Sequence, residues 1–128
     1  MKSIPAWNPV AIKDIVGTYK ISGVNQDIHR TTYAGILHLS LNENERVIAR
    51  WSIGNDSQIM HGIGFYKDNI LVINFQYEAT NAKVFKGVVV YRVLNSNILD
   101  GFWSEKHGDQ KFLGEEQCLR INTVYAIN

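Results

Sequence analysis

The side chains able to do chemistry are few: four histidines, one cysteine and a dozen acids. No two of His29, His38, His61 and His107 have the helical spacing that would gather them on one metal. His38 and His61 fall on strands that are not neighbours, so their Cβ atoms lie about two strand spacings, ~9–10 Å, apart. No metal site is expected from them. Cys118 is the only cysteine, so it has no CxxC partner and reads as a buried, inert thiol. Gly62-Ile63-Gly64 lacks the further glycine and the helix of a dinucleotide fingerprint, and neither a P-loop nor a nucleophile elbow occurs. Asn55-Asp56-Ser57 matches a glycosylation sequon, but in so Asn-rich a chain it reads as a turn. Acid chemistry is left to Glu105 and Glu116. Glu116 shares a strand face with Arg120, with Cys118 between them. An inward face would make them a buried polar feature in need of partners, best read as an ion pair that locks barrel closure. No cofactor is implied. A barrel enzyme, an isomerase or cyclase acting through Glu105 or Glu116, has no motif behind it, so a non-enzymatic role is favoured.

Strands must position these groups. Over residues 85–105, FKGVVVYRVLNSNILDGFWSE, two runs rich in Val, Ile, Leu and aromatics flank Asn95-Ser96-Asn97, which has turn chemistry. The same device recurs along the chain and predicts strands near 16–22, 31–41, 46–53, 58–66, 70–77, 84–94, 97–105 and 111–121. Short links between successive strands favour antiparallel neighbours. The expected fold is all-β: one domain over 1–128, an up-and-down antiparallel barrel of about eight strands. Residues 1–15 form a lead-in. Asn8-Pro9, as N-cap and first-turn proline, predicts a short helical segment laid over one end.

Alternation gives the inward face. Tyr33, Leu37 and Leu39 share one parity, as do Val47, Ala49, Trp51 and Ile53. Leu71, Ile73, Phe75 and Tyr77 do likewise, then Phe85, Val89, Tyr91 and Val93, then Leu99 and Trp103. The fourth and eighth strands carry apolar residues on both parities and stay ambiguous. Gly35, Gly62, Gly64, Gly87 and Gly101 lie inside strands, as a tightly curved small barrel would require.

In a meander, alternate connections fall at the same end. The odd-numbered ones (22–30, 54–57, 78–83, 106–110) are the longer, and long loops on a rigid scaffold are the usual home of binding residues. Tyr33, Trp51, Phe75, Tyr77, Phe85, Trp103 and Phe112 all lie toward that end. Leu41, Val47, Leu71, Leu94 and Leu99 lie toward the other and suggest an aliphatic plug. A ring-lined mouth is where barrels hold ligands, with His61 and Glu105 as orienting polar groups and His29 and His107 as further candidates. The alternative is that the rings simply fill the core, as they can in an eight-stranded barrel.

The chain is 45% apolar and 20% charged, with a net charge of +1. That balance implies no field attracting nucleic acid or an anionic membrane. No stretch approaches the ~20 apolar residues of a membrane helix. The N-terminus has no apolar core of a secretion signal, and a lone cysteine fits a reducing compartment. The expected location is cytoplasmic, or exported if a signal has been removed.

Gly17-x-Tyr19, Tyr33-x-Gly35, Trp51-x-Ile53-Gly54, Gly62-x-Gly64, Leu71-Val72, Gly87-Val88-Val89-Val90-Tyr91, Leu99-x-Gly101-x-Trp103 and Gly114-x-Glu116-x-x-x-Arg120 occur in this order. The series resembles a group of small, largely uncharacterised bacterial β-barrel proteins, some of them exported. More loosely it resembles the calycin superfamily of lipocalins, fatty-acid-binding proteins and avidins. That resemblance implies a closed antiparallel barrel, often with a ligand inside, in which Gly17 and Tyr19 pack near Arg120.

The leading expectation is thus a barrel binding a small apolar or aromatic molecule, with Tyr33, Trp51, Phe75, Tyr77, Phe85 and Trp103 as walls and His61 and Glu105 as orienting groups. The alternative is a protein–protein interaction module of inhibitor or immunity type. It would use loops 26–30 and 107–111 on a filled barrel, with a homodimer through the fourth and eighth strands.

Overall fold

The computed structural model describes residues 9–121. Eight strands follow a single 3₁₀ turn, Ile12–Ile15. They are β1 (Gly17–Val24), β2 (Thr32–Leu41), β3 (Val47–Ile53), β4 (Gln58–Lys67), β5 (Ile70–Glu78), β6 (Val84–Asn95), β7 (Ile98–Glu105) and β8 (Gly114–Arg120). Each pairs antiparallel with the next, and β8 returns to β1 to close the barrel, Ile21 opposite Cys118. Closure removes the sheet edges that would otherwise invite further pairing.

Local chemistry explains the turns. Asp68 and Asn69 join β4 to β5 with φ of 49° and 66°, the two left-handed residues of a type I′ hairpin turn. The Asn95 side chain accepts from the Asn97 amide at 2.8 Å, and the Asn42 side chain accepts from Asn44 and Arg46 at 2.9 and 3.0 Å. These asparagines supply the hydrogen bonds the chain needs while reversing.

The inward parity holds for β2, β3, β5, β6 and β7. Register settles the two ambiguous strands. Trp51 faces Met60, Ala49 faces Gly62 and Val47 faces Gly64, so Gln58, Met60, Gly62, Gly64 and Tyr66 point inward. His61, Ile63 and Phe65 point out. Their neighbours leave no room for inward side chains at the glycines: a Cβ on Gly64 would lie 1.9 Å from the Val72 carbonyl oxygen. In β8, Gly114, Glu116 and Cys118 are buried and Leu119 is exposed.

The core is one cluster, running from Ile15, Tyr19 and Leu39 at the lower end to Trp51, Phe75 and Val89. The lower end is sealed. Ile15 is fully buried, and the Tyr19 hydroxyl donates to its carbonyl at 2.6 Å. The Tyr66 hydroxyl donates to the Val10 carbonyl at 2.5 Å, and the Val10 amide donates to Asn69 Oδ1 at 2.8 Å. Two expectations change here. The lead-in is one 3₁₀ turn rather than a helical segment begun at Asn8-Pro9: its N-cap is Ala11, with no capping side chain, and Asn8 lies outside the described residues. Leu94 does not join the plug. It is 56% exposed, because it has the outward parity of β6, opposite to that of Tyr91 and Val93.

Arg120 completes the seal. Its guanidinium donates to the Ser96, Val16 and Asp14 carbonyls at 2.9, 2.9 and 2.6 Å and to the Tyr19 hydroxyl at 2.9 Å. The guanidinium carbon stands 4.9 Å from the Tyr19 ring centroid. Gly17 has φ +145°, and a Cβ there would meet Arg120 Nη1 at 2.2 Å, so the close approach requires glycine. Gly17, Tyr19 and Arg120 meet as the resemblance implied. The ion pair expected between Arg120 and Glu116 does not form. Four residues of strand put them about 13 Å apart along the barrel, and each finds other partners.

Among the described residues, no helix is long and apolar enough to cross a membrane.

Candidate functional site

A cavity of about 190 Å³ opens at the end that carries the odd-numbered loops. Its walls come from six of the eight strands and its floor from a seventh, β8. Tyr33 (β2), Trp51 (β3), Met60 (β4), Phe75 and Tyr77 (β5), Val89 and Tyr91 (β6) and Trp103 (β7) all line it. Neighbouring rings meet edge to face, as quadrupoles prefer. Tyr33 and Trp103 have centroids 6.4 Å apart, Trp103 and Phe75 6.2 Å, and Phe75 and Trp51 6.0 Å, with interplanar angles of 63°, 85° and 64°.

The floor is polar. Glu116 is only 5% exposed and gathers the protons of four neighbours. The Tyr33 hydroxyl donates to Oε1 at 2.7 Å. The Trp51 indole donates to Oε2 at 3.2 Å, the Tyr91 hydroxyl donates to the same oxygen, and the Cys118 thiol does so at 3.7 Å. Trp103 extends the chain, its indole N–H reaching the Tyr33 hydroxyl at 2.9 Å. Every donor is neutral. Among the described residues the ion pairs are Arg30–Glu115 and Arg92–Asp100, so no cationic side chain is paired with Glu116.

Burial raises the Glu116 pKa above the ordinary carboxylate value, although the bonds from Tyr91, Tyr33, Trp51 and Cys118 pull it down. Burial, then the facing carboxylate, pushes Tyr33, Tyr91 and Cys118 far up. All three shifts favour the protonated form, and Cys118 is a buried free thiol.

At the rim, the Tyr77 hydroxyl donates to Glu105 Oε1 at 2.7 Å, and burial and that carboxylate raise the Tyr77 pKa. Gln26 pins the rim. Its amide donates to Ser104 Oγ and the Asp109 carbonyl at 3.0 and 3.1 Å and accepts from the Glu105 amide at 2.9 Å. Loop 25–31 is thereby tied to β7 and loop 106–113. Arg30 adds a second tie, donating to the Leu113 carbonyl at 2.6 Å and pairing with Glu115 at 2.5 Å.

Of the eight residues the sequence singled out, the cavity brings together Tyr33, Trp51, Phe75, Tyr77, Trp103 and Glu105. Phe85 stands behind them: it stacks on Tyr77 at 5.3 Å and 20° with the Lys83 ammonium over its ring, and does not line the cavity. His61 is on the outer face, exposed, in a row with Arg50 and Gln76. Phe112 and His107 lie in loop 106–113, outside the cavity, and His29 is exposed in loop 25–31. Asn25, Gln58, Tyr91 and Glu116 also line the cavity. Tyr91 already had inward parity, and Glu116 stood out as a polar residue with one apolar neighbour on its face. They stand in one register row on either side of Gly101, and that register, which alternation alone does not give, brings them together. No group of three or more His, Cys, Asp or Glu that could hold a metal occurs among the described residues.

No protein-family model and no curated protein matches the sequence. Solved structures do match its shape. A redesigned β-barrel, b11L5F_LGL, has a TM-score of 0.69 at 12% identity, covering 91% of this chain and 100% of that one. Another, mFAP1, bound to DFHBI, has a TM-score of 0.63 at 15% identity over 87% of this chain and 98% of that one. A protein of unknown function of the DUF3598 family from Nostoc punctiforme has a TM-score of 0.56 at 13% identity, over 90% of this chain and 51% of that one. At these identities the likeness is one of fold: an eight-stranded closed antiparallel barrel.

Proposed function

We propose that this protein is a small-molecule-binding barrel, holding a compact molecule of one or two rings in the cavity at its mouth. The observation that carries the reading is the cavity itself, about 190 Å³ of ring-lined space at the mouth of the barrel. A cavity of ~150 Å³ suffices to hold one benzene, so a ligand of one or two rings matches this one. Trp51, Phe75, Tyr77 and Trp103 would grip its faces and edges, Tyr33 and Glu116 would meet its inner end, and Glu105 would orient it at the rim. Two designed barrels of similar fold are bound to DFHBI, a small aromatic ligand. They support the idea that a barrel of this fold can bind a small aromatic molecule. The Gly17–Tyr19–Arg120 arrangement supports placing the barrel among the calycin-type proteins.

The test is native against denaturing mass spectrometry on freshly purified protein, followed by tryptophan-fluorescence titration with one- and two-ring compounds. A small mass that is held natively and leaves on denaturation is expected. Trp103→Leu should weaken binding by about tenfold or more through lost ring contact. A bare chain that takes up none of the compounds would count against the reading.

A second reading, an interaction surface, has its own observation. Phe65, Val72, Val90 and Phe102 face outward in one register row across β4–β7, beside Ile63 and Val88. Phe65 is 51% and Ile63 48% exposed, and contiguous exposed apolar area marks association sites. A homodimer through this face would show a mass that rises with concentration and falls with Phe65→Lys. Loop 26–30 is a weaker candidate than expected, because the Gln26 side chain is consumed within the barrel.

A further inference from the structure

The chemistry of the cavity points to the charge of its ligand. Its lining includes two carboxylates, Glu105 at the rim and Glu116 at the floor, and no lysine, arginine or histidine. Glu116 is 5% exposed, and all its partners are neutral O–H, N–H and S–H groups. A buried carboxylate without a countercharge is expensive, and hydrogen bonds from neutral donors offset only part of the cost. Three of the four donors converge on Oε2, while Oε1 accepts from Tyr33 alone. A carboxylate offers about four acceptor positions over its two oxygens, so Oε1 keeps one to offer. The rings around it stand at 63–85° to one another, and rings so turned about one space present faces as well as edges to it. Aromatic faces attract cations, more strongly where water is excluded.

We propose that the cavity selects an organic cation, one or two rings bearing a protonated amine, over neutral and anionic molecules of the same shape. The ammonium supplies the countercharge that Glu116 lacks. Glu105 at the rim adds a second negative charge on the path inward. This rests on the small-molecule reading above and names the chemical class of its ligand. The basic groups of the mouth loops stay out of the lining: Lys83 lies over the Phe85 ring, Arg30 is held by Glu115, and Lys106, His107 and Lys111 are exposed in loop 106–113.

The test compares three probes of equal shape on the intact chain at pH 7.5: benzylammonium, benzyl alcohol and benzoate. Binding is followed by tryptophan fluorescence and calorimetry. Benzylammonium should bind at least about tenfold more tightly than benzyl alcohol, since an ammonium gains both a carboxylate and ring faces, and benzoate least. Glu116→Gln should abolish most of that preference, and Glu105→Gln, at the exposed rim, should reduce it by a smaller factor. The comparison on the unsubstituted protein does not depend on the buried variant folding. If benzyl alcohol or benzoate binds as tightly as benzylammonium, cation selection is wrong while the ligand-binding reading stands. If none of the three binds, both fall.

Discussion

Replacing Glu116 with glutamine should make stability less dependent on pH, in a direction fixed by the site. Glu116 is held above its unfolded value of 4.5 by burial. The fold therefore favours its protonated form. Its contribution is fully present below pH 4.5 and is lost as pH rises through the raised folded value. Each unit by which the fold lifts that value costs about 1.4 kcal/mol once the group is ionised in both states. Glutamine has no proton to lose. Its amide carries two hydrogens where the protonated carboxyl carries one, so it accepts from one neighbour fewer and at low pH the variant should start lower by about one hydrogen bond, ~1 kcal/mol. The Trp51 indole retains an acceptor in the Tyr91 hydroxyl at 3.1 Å, which limits that loss. As pH rises from 4 to 8 the wild type should fall relative to the variant, and the two curves should converge or cross.

Other carboxylates are common to both proteins and cancel in the difference. Thermal and urea unfolding at unit pH intervals would measure it. For a domain of this size 1 kcal/mol corresponds to about 4 °C in Tm, so a one-unit lift reads as a relative shift of ~5 °C. A difference that stays constant with pH, or a wild type that gains on the variant as pH rises, would refute the reasoning.

Gly64→Ala should destabilise the barrel by more than about 3 kcal/mol, because its Cβ would lie 1.9 Å from the Val72 oxygen and 2.8 Å from Ile73 Cα; urea unfolding or loss of soluble yield measures this. His61→Ala, on the exposed outer face, should change stability by no more than about 0.5 kcal/mol and leave ligand titrations unchanged. Arg120→Lys should cost about 2–3 kcal/mol in urea unfolding, since one ammonium cannot reach three carbonyls and a phenol at once, and should leave cavity binding intact in the surviving folded fraction. The Tm gain from saturating benzylammonium should be larger at pH 8 than at pH 5 in the wild type and equal at the two in Glu116→Gln; equal gains in both proteins would argue against the carboxylate as the cation's partner.

Most of the barrel was legible because most strands follow one simple rule: apolar residues at alternate positions, broken by asparagine-rich turns. Trp51, Phe75, Tyr77 and Trp103 could be assigned to one end by counting strands and connections alone. The rule failed in β4 for a physical reason. Its inward positions include Gly62 and Gly64, which carry no apolar signal, while Ile63 and Phe65 on the outer face carry a strong one. The parity therefore stayed ambiguous, and nothing in the pattern kept His61 out of the mouth. In β8 the failure was one of distance. Glu116 and Arg120 share a face, but a strand rises about 3.3 Å per residue. A spacing of four that would make contact on a helix separates them to opposite ends of the barrel.

That separation is itself informative. Each end of β8 carries an ionisable group, buried at Glu116 and half-buried at Arg120, and the two are treated differently. Arg120 is met by acceptors: three backbone carbonyls, the Tyr19 hydroxyl and the face of the Tyr19 ring. Those partial negative charges match its own, and Gly17 makes room for the match. Glu116 is met by neutral donors alone, in front of open space. A charge at a purely structural site gains most from being fully matched, as Arg120 is, and a residue needed only to fill the core could have been apolar at lower cost. Glu116 has neither character. It leaves the closed end of the barrel to carry stability and the open end with an unmet electrostatic demand, which a positively charged ring compound of the right size would satisfy.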